Sequence, residues 1–184
     1  EKQLALSKKH KMNLWQADAY SQAGYCLATI GDLMKSYEYH SESMKMAADE
    51  KNEADNWRPW TFSNSKNSHE ARISILGMNY QMMGNLWGAL GEKEKQRSYY
   101  EEAVKLGESI NNGKMVYLGL SSISGVLPPD SAIMFTAKAL NYAEATGFRR
   151  TGNSLTRLAG AYAQKGNWDS AFIFAHKSIA INQA

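Results

Sequence analysis

The chain has 184 residues, 43% of them apolar, which is enough to bury a core and too many for general disorder. Twenty-one Lys and Arg stand against 18 Asp and Glu, a formal charge of +3, with the signs interspersed as in Glu92-Lys93-Glu94-Lys95. That balance describes a solvated surface and excludes a nucleic-acid footprint, which needs cations aligned on one face.

In chain order, Glu1-Lys2-Gln3-Leu4-Ala5-Leu6 reads as the middle of a helix and Lys8-Lys9-His10-Lys11 as its exposed last turn. Residues 1–10 are therefore expected to be the end of a helix that precedes the first hairpin. A start inside a helix, without a cap or an initiator methionine, is the pattern expected of a piece of a longer chain. Residues 11–49 form the first expected hairpin, with a corner at Gly31-Asp32. Glycine can take the left-handed conformation that ends one helix, and the following Asp can cap the next. Helical periodicity then lapses over residues 50–68, an aromatic insertion containing Trp57, Arg58, Trp60 and Phe62.

A second hairpin is expected over residues 69–111, with its corner at Gly91-Glu92. A third, over 112–147, is degenerate, because Leu127-Pro128-Pro129 replaces the glycine corner. It is placed by Asp130-Ser131-Ala132, which copies Asp169-Ser170-Ala171 of the fourth hairpin, over 148–184, whose corner is Gly166-Asn167. Proline is tolerated in a helix's first turn, so the third corner can survive, with Gly125 and the prolines shortening the helix before it.

The three glycine corners share a register. Before them recur the small residues Gly24, Gly84 and Ala159 and the larger Leu27, Trp87 and Tyr162, at helical spacing. After them recur Ser36, Gln96 and Ala171, then His40, Tyr100 and Ala175, then Ser43, Ala103 and Ser178. Small residues on both faces let two helices approach, and large ones fill the gaps between hairpins. The run from Leu155 to Ala171 resembles the tetratricopeptide repeat family at nearly every core position, followed by Ala17 to Ala47. The resemblance covers nearly all of the chain and implies an all-α fold, a right-handed α-solenoid of antiparallel helix hairpins. Corners 31 and 91 lie 60 residues apart, against the ~34 of the standard repeat, which is why an insertion is expected between them.

Chemistry is thinly represented. His10, His40, His69 and His176 make no His-x-x-x-His or Glu-x-x-His arrangement, so no metal site is expected. His40 reads as a satisfied, partly buried histidine. Cys26 has no partner for an intramolecular disulfide and no sequence-local base, and reads as a buried structural thiol. There is no phosphate loop and no nucleophile elbow, so neither an intrinsic enzyme activity nor a cofactor is expected. No stretch approaches the ~18 consecutive apolar residues of a membrane span, and no direct membrane contact is expected. The compartment, cytoplasmic or periplasmic, is left open.

In the tetratricopeptide family the first helices line a concave groove, which implies a stripe on the face opposite their core positions. Here that stripe is Asp18, Ser21 and Tyr25, then Gln81 and Asn85 beside Met78, then Lys114, Tyr117 and Ser121, then Asn153 and Thr156. It is polar with two tyrosines, suited to an extended peptide, or else a solvated inner face with no ligand. Trp57, Arg58, Trp60 and Phe62 either contact a partner or plug a gap between hairpins. The expected function is a protein- or peptide-binding module, with a homodimer left open. The ~39-residue hairpins resemble arrays of bacterial sensor kinases and regulators, where the module would sense for a larger signalling protein. A free-standing adaptor or assembly scaffold is the alternative.

Overall fold

The computed structural model describes residues 2–54 and 65–183, so Trp57, Arg58, Trp60 and Phe62 of the expected insertion lie outside the described residues. Among the described residues all regular structure is helical: α1 Lys2–Lys9, α2 Asn13–Thr29, α3 Leu33–Ala48, α4 Ser68–Ala89, α5 Lys93–Ser109, α6 Gly113–Ser124, α7 Pro129–Ala145, α8 Gly152–Gln164 and α9 Trp168–Gln183, with a 3-10 turn over Glu50–Ala54. Packing is strongest between consecutive helices joined by a corner, α2 with α3, α4 with α5, α6 with α7 and α8 with α9. The architecture is thus all-α and helical-repeat-like. It divides into two units, Glu1–Ile110 and Asn111–Ala184.

In the first unit the corners close as their residue types dictate. Gly31 and Gly91 have φ of 86° and 81°, the left-handed region that costs other residues a steric clash between Cβ and the carbonyl. The Gly31 amide then donates to Ala28 O and the Asp32 amide to Leu27 O, which satisfies two carbonyls that the end of α2 would strand. The Gly91 corner repeats both bonds, to Gly88 O and Trp87 O. Asp32 Oδ1 accepts from the Lys35 amide, capping α3. Glu92, at the same place before α5, makes no side-chain cap; its chain is one methylene longer than aspartate's.

Within hairpin 1 the contacts run antiparallel. Ser36 Oγ donates to Gly24 O at 2.8 Å, and Ser43 Oγ, two turns later on α3, donates to Ala17 O, two turns earlier on α2, at 2.6 Å. Hairpin 2 docks on it through α3 and α4, around a core of Leu14, Ala17, Ala47 and Ile75. Close approach is set by glycine. A Cβ on Gly84 would meet the Tyr100 ring of α5 at 2.4 Å, and one on Gly24 would meet His40 of α3 at 2.8 Å. The start of the expected insertion is ordered and anchored. Asn52 Nδ2 donates to Met46 O, Asn52 Oδ1 accepts from Asn13 Nδ2, and buried Arg72 of α4 donates to Glu53 Oε1 at 2.7 Å and to Ala47 O at 3.0 Å.

In the second unit, Gly166 (φ 73°) and the Asn167 cap repeat the corner chemistry between α8 and α9. The α6–α7 corner is built differently. Gly125 has φ −70°, and the guanidinium of Arg157 on α8 caps α6 by donating to Ser121 O, while Pro128 and Pro129 open α7. The helix before the prolines is short, 12 residues. Two helix ends carried no sequence expectation. Gly147 (φ 67°) closes α7, and Asn111 (φ 52°) precedes the Asn112 cap of α6. Asparagine tolerates the left-handed region, so Asn111-Asn112 does what Gly-Asp does elsewhere.

Candidate functional site

Half of the stripe expected to face a partner is buried in packing. In the first unit Asp18 is 0% exposed, with its Oδ2 accepting from Gln3 of α1 at 3.0 Å, and Ser21 and Gln81 are buried as well. In the second unit Tyr117 is 2% exposed, and its hydroxyl is hydrogen-bonded to Ser154 Oγ at 2.8 Å, which in turn pairs with Ser121 Oγ at 2.8 Å. The Tyr117 ring lies on Phe148. Asp18 thus joins α2 to the preceding α1, and Tyr117 and Ser121 form a polar seam between α6 and the following α8. Periodicity along a single helix does not reveal the neighbour that covers its face.

The rest of the stripe stays accessible: Tyr25, Asn85, Lys114, Asn153 and Thr156. Of these, Asn85 Oδ1 accepts from Tyr100 Oη of α5, and Thr156 Oγ1 pairs with Ser178 Oγ of α9 and donates back to Gly152 O, so both tie the two helices of their hairpin together. Met78 and Met82 are half-buried and Met83 is core.

A different surface appears at the corners of the first unit. Ile30 and Met34, which flank the Gly31-Asp32 corner, are 78% and 73% exposed, and Leu90, before Gly91, is 61% exposed. Tyr37 of α3 meets Trp87 of α4 edge to face at 6.3 Å between centroids, which brings the two corners together. Lys95 lies 4.1 Å from the Trp87 ring centroid. Ile30, Met34 and Leu90 are thus exposed apolar side chains at the two corners, and the half-buried Tyr37–Trp87 pair between hairpins 1 and 2 carries a cation at its edge. Sequence reasoning treated Trp87 as a gap filler and did not single out the others. A signal was available, since Ile30 and Leu90 each stand one residue before a corner glycine, at a helix end where burial is not required.

Cys26 is exposed, contrary to the buried thiol expected from its apolar neighbours, because apolar neighbours in sequence do not fix which face of α2 is covered. Its accessibility adds no catalytic arrangement. His40, by contrast, is buried outright, with Nδ1 2.7 Å from Asn79 Oδ1, while Asn79 Nδ2 donates to Ser43 Oγ at 2.7 Å. Serine, histidine and asparagine are residue types of a hydrolase triad, but here the asparagine separates the other two and all three are sealed from solvent. No nucleophile faces the imidazole, and no substrate reaches it. Among the described residues no group of three or more His, Cys, Asp or Glu side chains is placed to hold a metal ion. No helix there is long and apolar enough to cross a membrane.

No family model matches the chain, and no curated protein sequence matches it. Among solved structures, the crystal structure of BtubC (BKLC) from P. vanneervenii is similar, with a TM-score of 0.70 at 14% sequence identity over 92% of this chain and 64% of that one. What is shared is a fold. The chain spans only part of that protein's length, and at this identity the likeness speaks to helical architecture alone.

Proposed function

We propose that this chain is a protein- or peptide-binding module built from tetratricopeptide-type hairpins stacked as a right-handed α-solenoid. The observation that carries the reading is the corner patch of Ile30, Met34, Tyr37, Trp87 and Leu90. The Tyr37–Trp87 contact also serves the packing of hairpin 1 on hairpin 2, but the strongly exposed Ile30, Met34 and Leu90 at the two corners are not needed for it, and apolar side chains clustered near two corners are the kind of surface a partner covers. Trp and Tyr are also the residue types that carry most binding energy at interfaces. Tyr25, exposed on α2, extends the same aromatic character along the first unit. The buried polar seams argue against the inner stripe as the main contact, so the corner patch takes its place in the proposal.

The module is read as the interaction or sensing region of a larger bacterial signalling protein, following the resemblance of its hairpins to those arrays. A free-standing adaptor is the second reading, and the full gene separates the two: a membrane span with a kinase or DNA-binding domain favours sensing. For the contact itself, the wild-type chain and a Met34→Ala, Tyr37→Ala, Leu90→Ala variant, both shown to be folded by circular dichroism, serve as bait for a lysate and a peptide array. The expected result is a partner held by wild type and lost by the variant. Equal retention by both baits refutes the corner surface.

A further inference from the structure

His40 sits wholly buried on α3, where hairpin 1 packs on α4 of hairpin 2. Asn79 of α4 decides its tautomer. The Asn79 amide nitrogen already donates to Ser43 Oγ at 2.7 Å and to Ile75 O at 2.8 Å, so its Oδ1 is the acceptor and His40 Nδ1 carries the proton. Nε2 is then a bare lone pair. It has no hydrogen-bond partner and lies against Gly24 of α2, so closely that even a Cβ there would come within 2.8 Å. A second proton on the ring must go on Nε2, where it would find no acceptor. Burying an unpaired charge is among the largest single costs a fold can meet.

None of the charged and titratable groups on the elements around α3 is hydrogen-bonded to the His40 ring. Asp18 of α2 accepts from Gln3 through Oδ2 while its Oδ1 is buried without a partner, Arg72 of α4 is held by Glu53 and Ala47 O, Glu53 of the 3-10 turn is shared by Arg72 and His69, and Tyr80 of α4 faces Tyr99. Burial holds the His40 imidazole below its ordinary range, offset in part by the Asn79 bond, with no charged group contributing.

We propose that His40 is a proton-triggered release for the α3–α4 junction: in mild acid its ring charges at a position without an acceptor, and hairpins 1 and 2 part. Linkage gives the sign. The unfolded or opened chain takes up the proton near pH 6.5 and the closed junction resists it. The junction is therefore fully stable above about pH 6.5 and weakens as pH falls toward the folded-state value, with the open population rising up to about tenfold per pH unit. His10, His69 and His176 are exposed.

The test is hydrogen exchange by mass spectrometry on the full chain at pH 7.5, 6.5, 5.5 and 5.0, with rates corrected for intrinsic chemistry. Peptides from α3 and α4 should open progressively below pH 6.5, while those from α6 to α9 stay level over the same window. His40→Gln, which cannot take a proton, should abolish the pH dependence. Level protection of α3 and α4 in the wild type overturns the proposal, and so does an identical acid response in His40→Gln. If that variant does not fold, an NMR titration of the wild-type ring decides. Titration at the ordinary value with α3 and α4 amide shifts unchanged overturns the proposal; protonation only together with loss of those amides supports it.

Discussion

Gly84 stands in the interior of α4, where alanine is intrinsically favoured over glycine by about 1 kcal/mol. Tertiary packing reverses that preference. A Cβ at Gly84 would lie 2.4 Å from Tyr100 Cε1 and 3.2 Å from the Gln96 carbonyl oxygen, so the ring would have to retreat by about 1 Å to reach ordinary contact. Tyr100 is buried and pinned, its hydroxyl donating to Asn85 Oδ1 at 2.7 Å and accepting from Gln96 Nε2 at 3.1 Å. Overpacking costs about 1–3 kcal/mol and a loosened hydrogen bond about 1 kcal/mol more. Set against the helical gain, Gly84→Ala should destabilise by about 1–3 kcal/mol. Gly160→Ala is the matched control, since Gly160 lies inside α8 with nothing within 4 Å of the new Cβ and should stabilise by up to about 1 kcal/mol. Urea unfolding followed by far-ultraviolet circular dichroism measures both. If Gly84→Ala is as stable as wild type or more so, the claim that glycine sets the α4–α5 approach is wrong.

Gly31→Ala tests the corner in isolation: nothing lies within 4 Å of its Cβ, yet φ of 86° should cost about 1–2 kcal/mol, read as a fall in Tm, and an unchanged Tm contradicts this account of the corner. Arg72→Met removes the guanidinium that holds Ala47 O and Glu53, and should cost about 2–4 kcal/mol in the same unfolding assay, since Glu53 can rehydrate and Ala47 O cannot. Arg72, more than His69, holds the Glu53 carboxyl below its usual range, so that contribution is complete above about pH 4.3 and is lost as pH falls further; Arg72→Met should therefore lose less stability than wild type between pH 5 and 3. Ser154→Ala should cost about 1–2 kcal/mol, because Tyr117 and Ser121 both give up a buried hydroxyl partner; a neutral result would mean that the seam is not a stabilising contact. Cys26 should react completely with a thiol reagent in the native protein, without denaturant, and protection until unfolding would contradict its exposure.

Local chemistry makes the helical hairpins legible from the residues alone. Gly31, Gly91 and Gly166 favour helix ends because without a Cβ they take the left-handed φ at little cost, and Asp32 and Asn167 cap the next helix through bonds to residues three positions on. Asn111-Asn112 and Gly147 carried the same local signal but in less distinctive letters. Arg157 carried none, since its role at the end of α6 depends on α8 lying beside it. The site was less legible for a related reason. Helical periodicity reports which residues share a face, and Asp18, Ser21, Gln81, Tyr117 and Ser121 do lie at the register expected of them. Whether such a face meets water or another helix depends on residues far along the chain, such as Gln3 for Asp18 and Ser154 for Tyr117.

The amino-acid sequence by itself therefore determined helix, corner and pairing, which arise from bonds and contacts spanning a few residues to one hairpin. Tertiary structure alone decided that His40 is sealed without an acceptor, that half of the polar stripe is buried, and that Ile30, Met34 and Leu90 remain outside. The physical reason is that burial and unsatisfied polarity belong to the set of neighbours around an atom, and those neighbours are brought together only when one hairpin docks on the next.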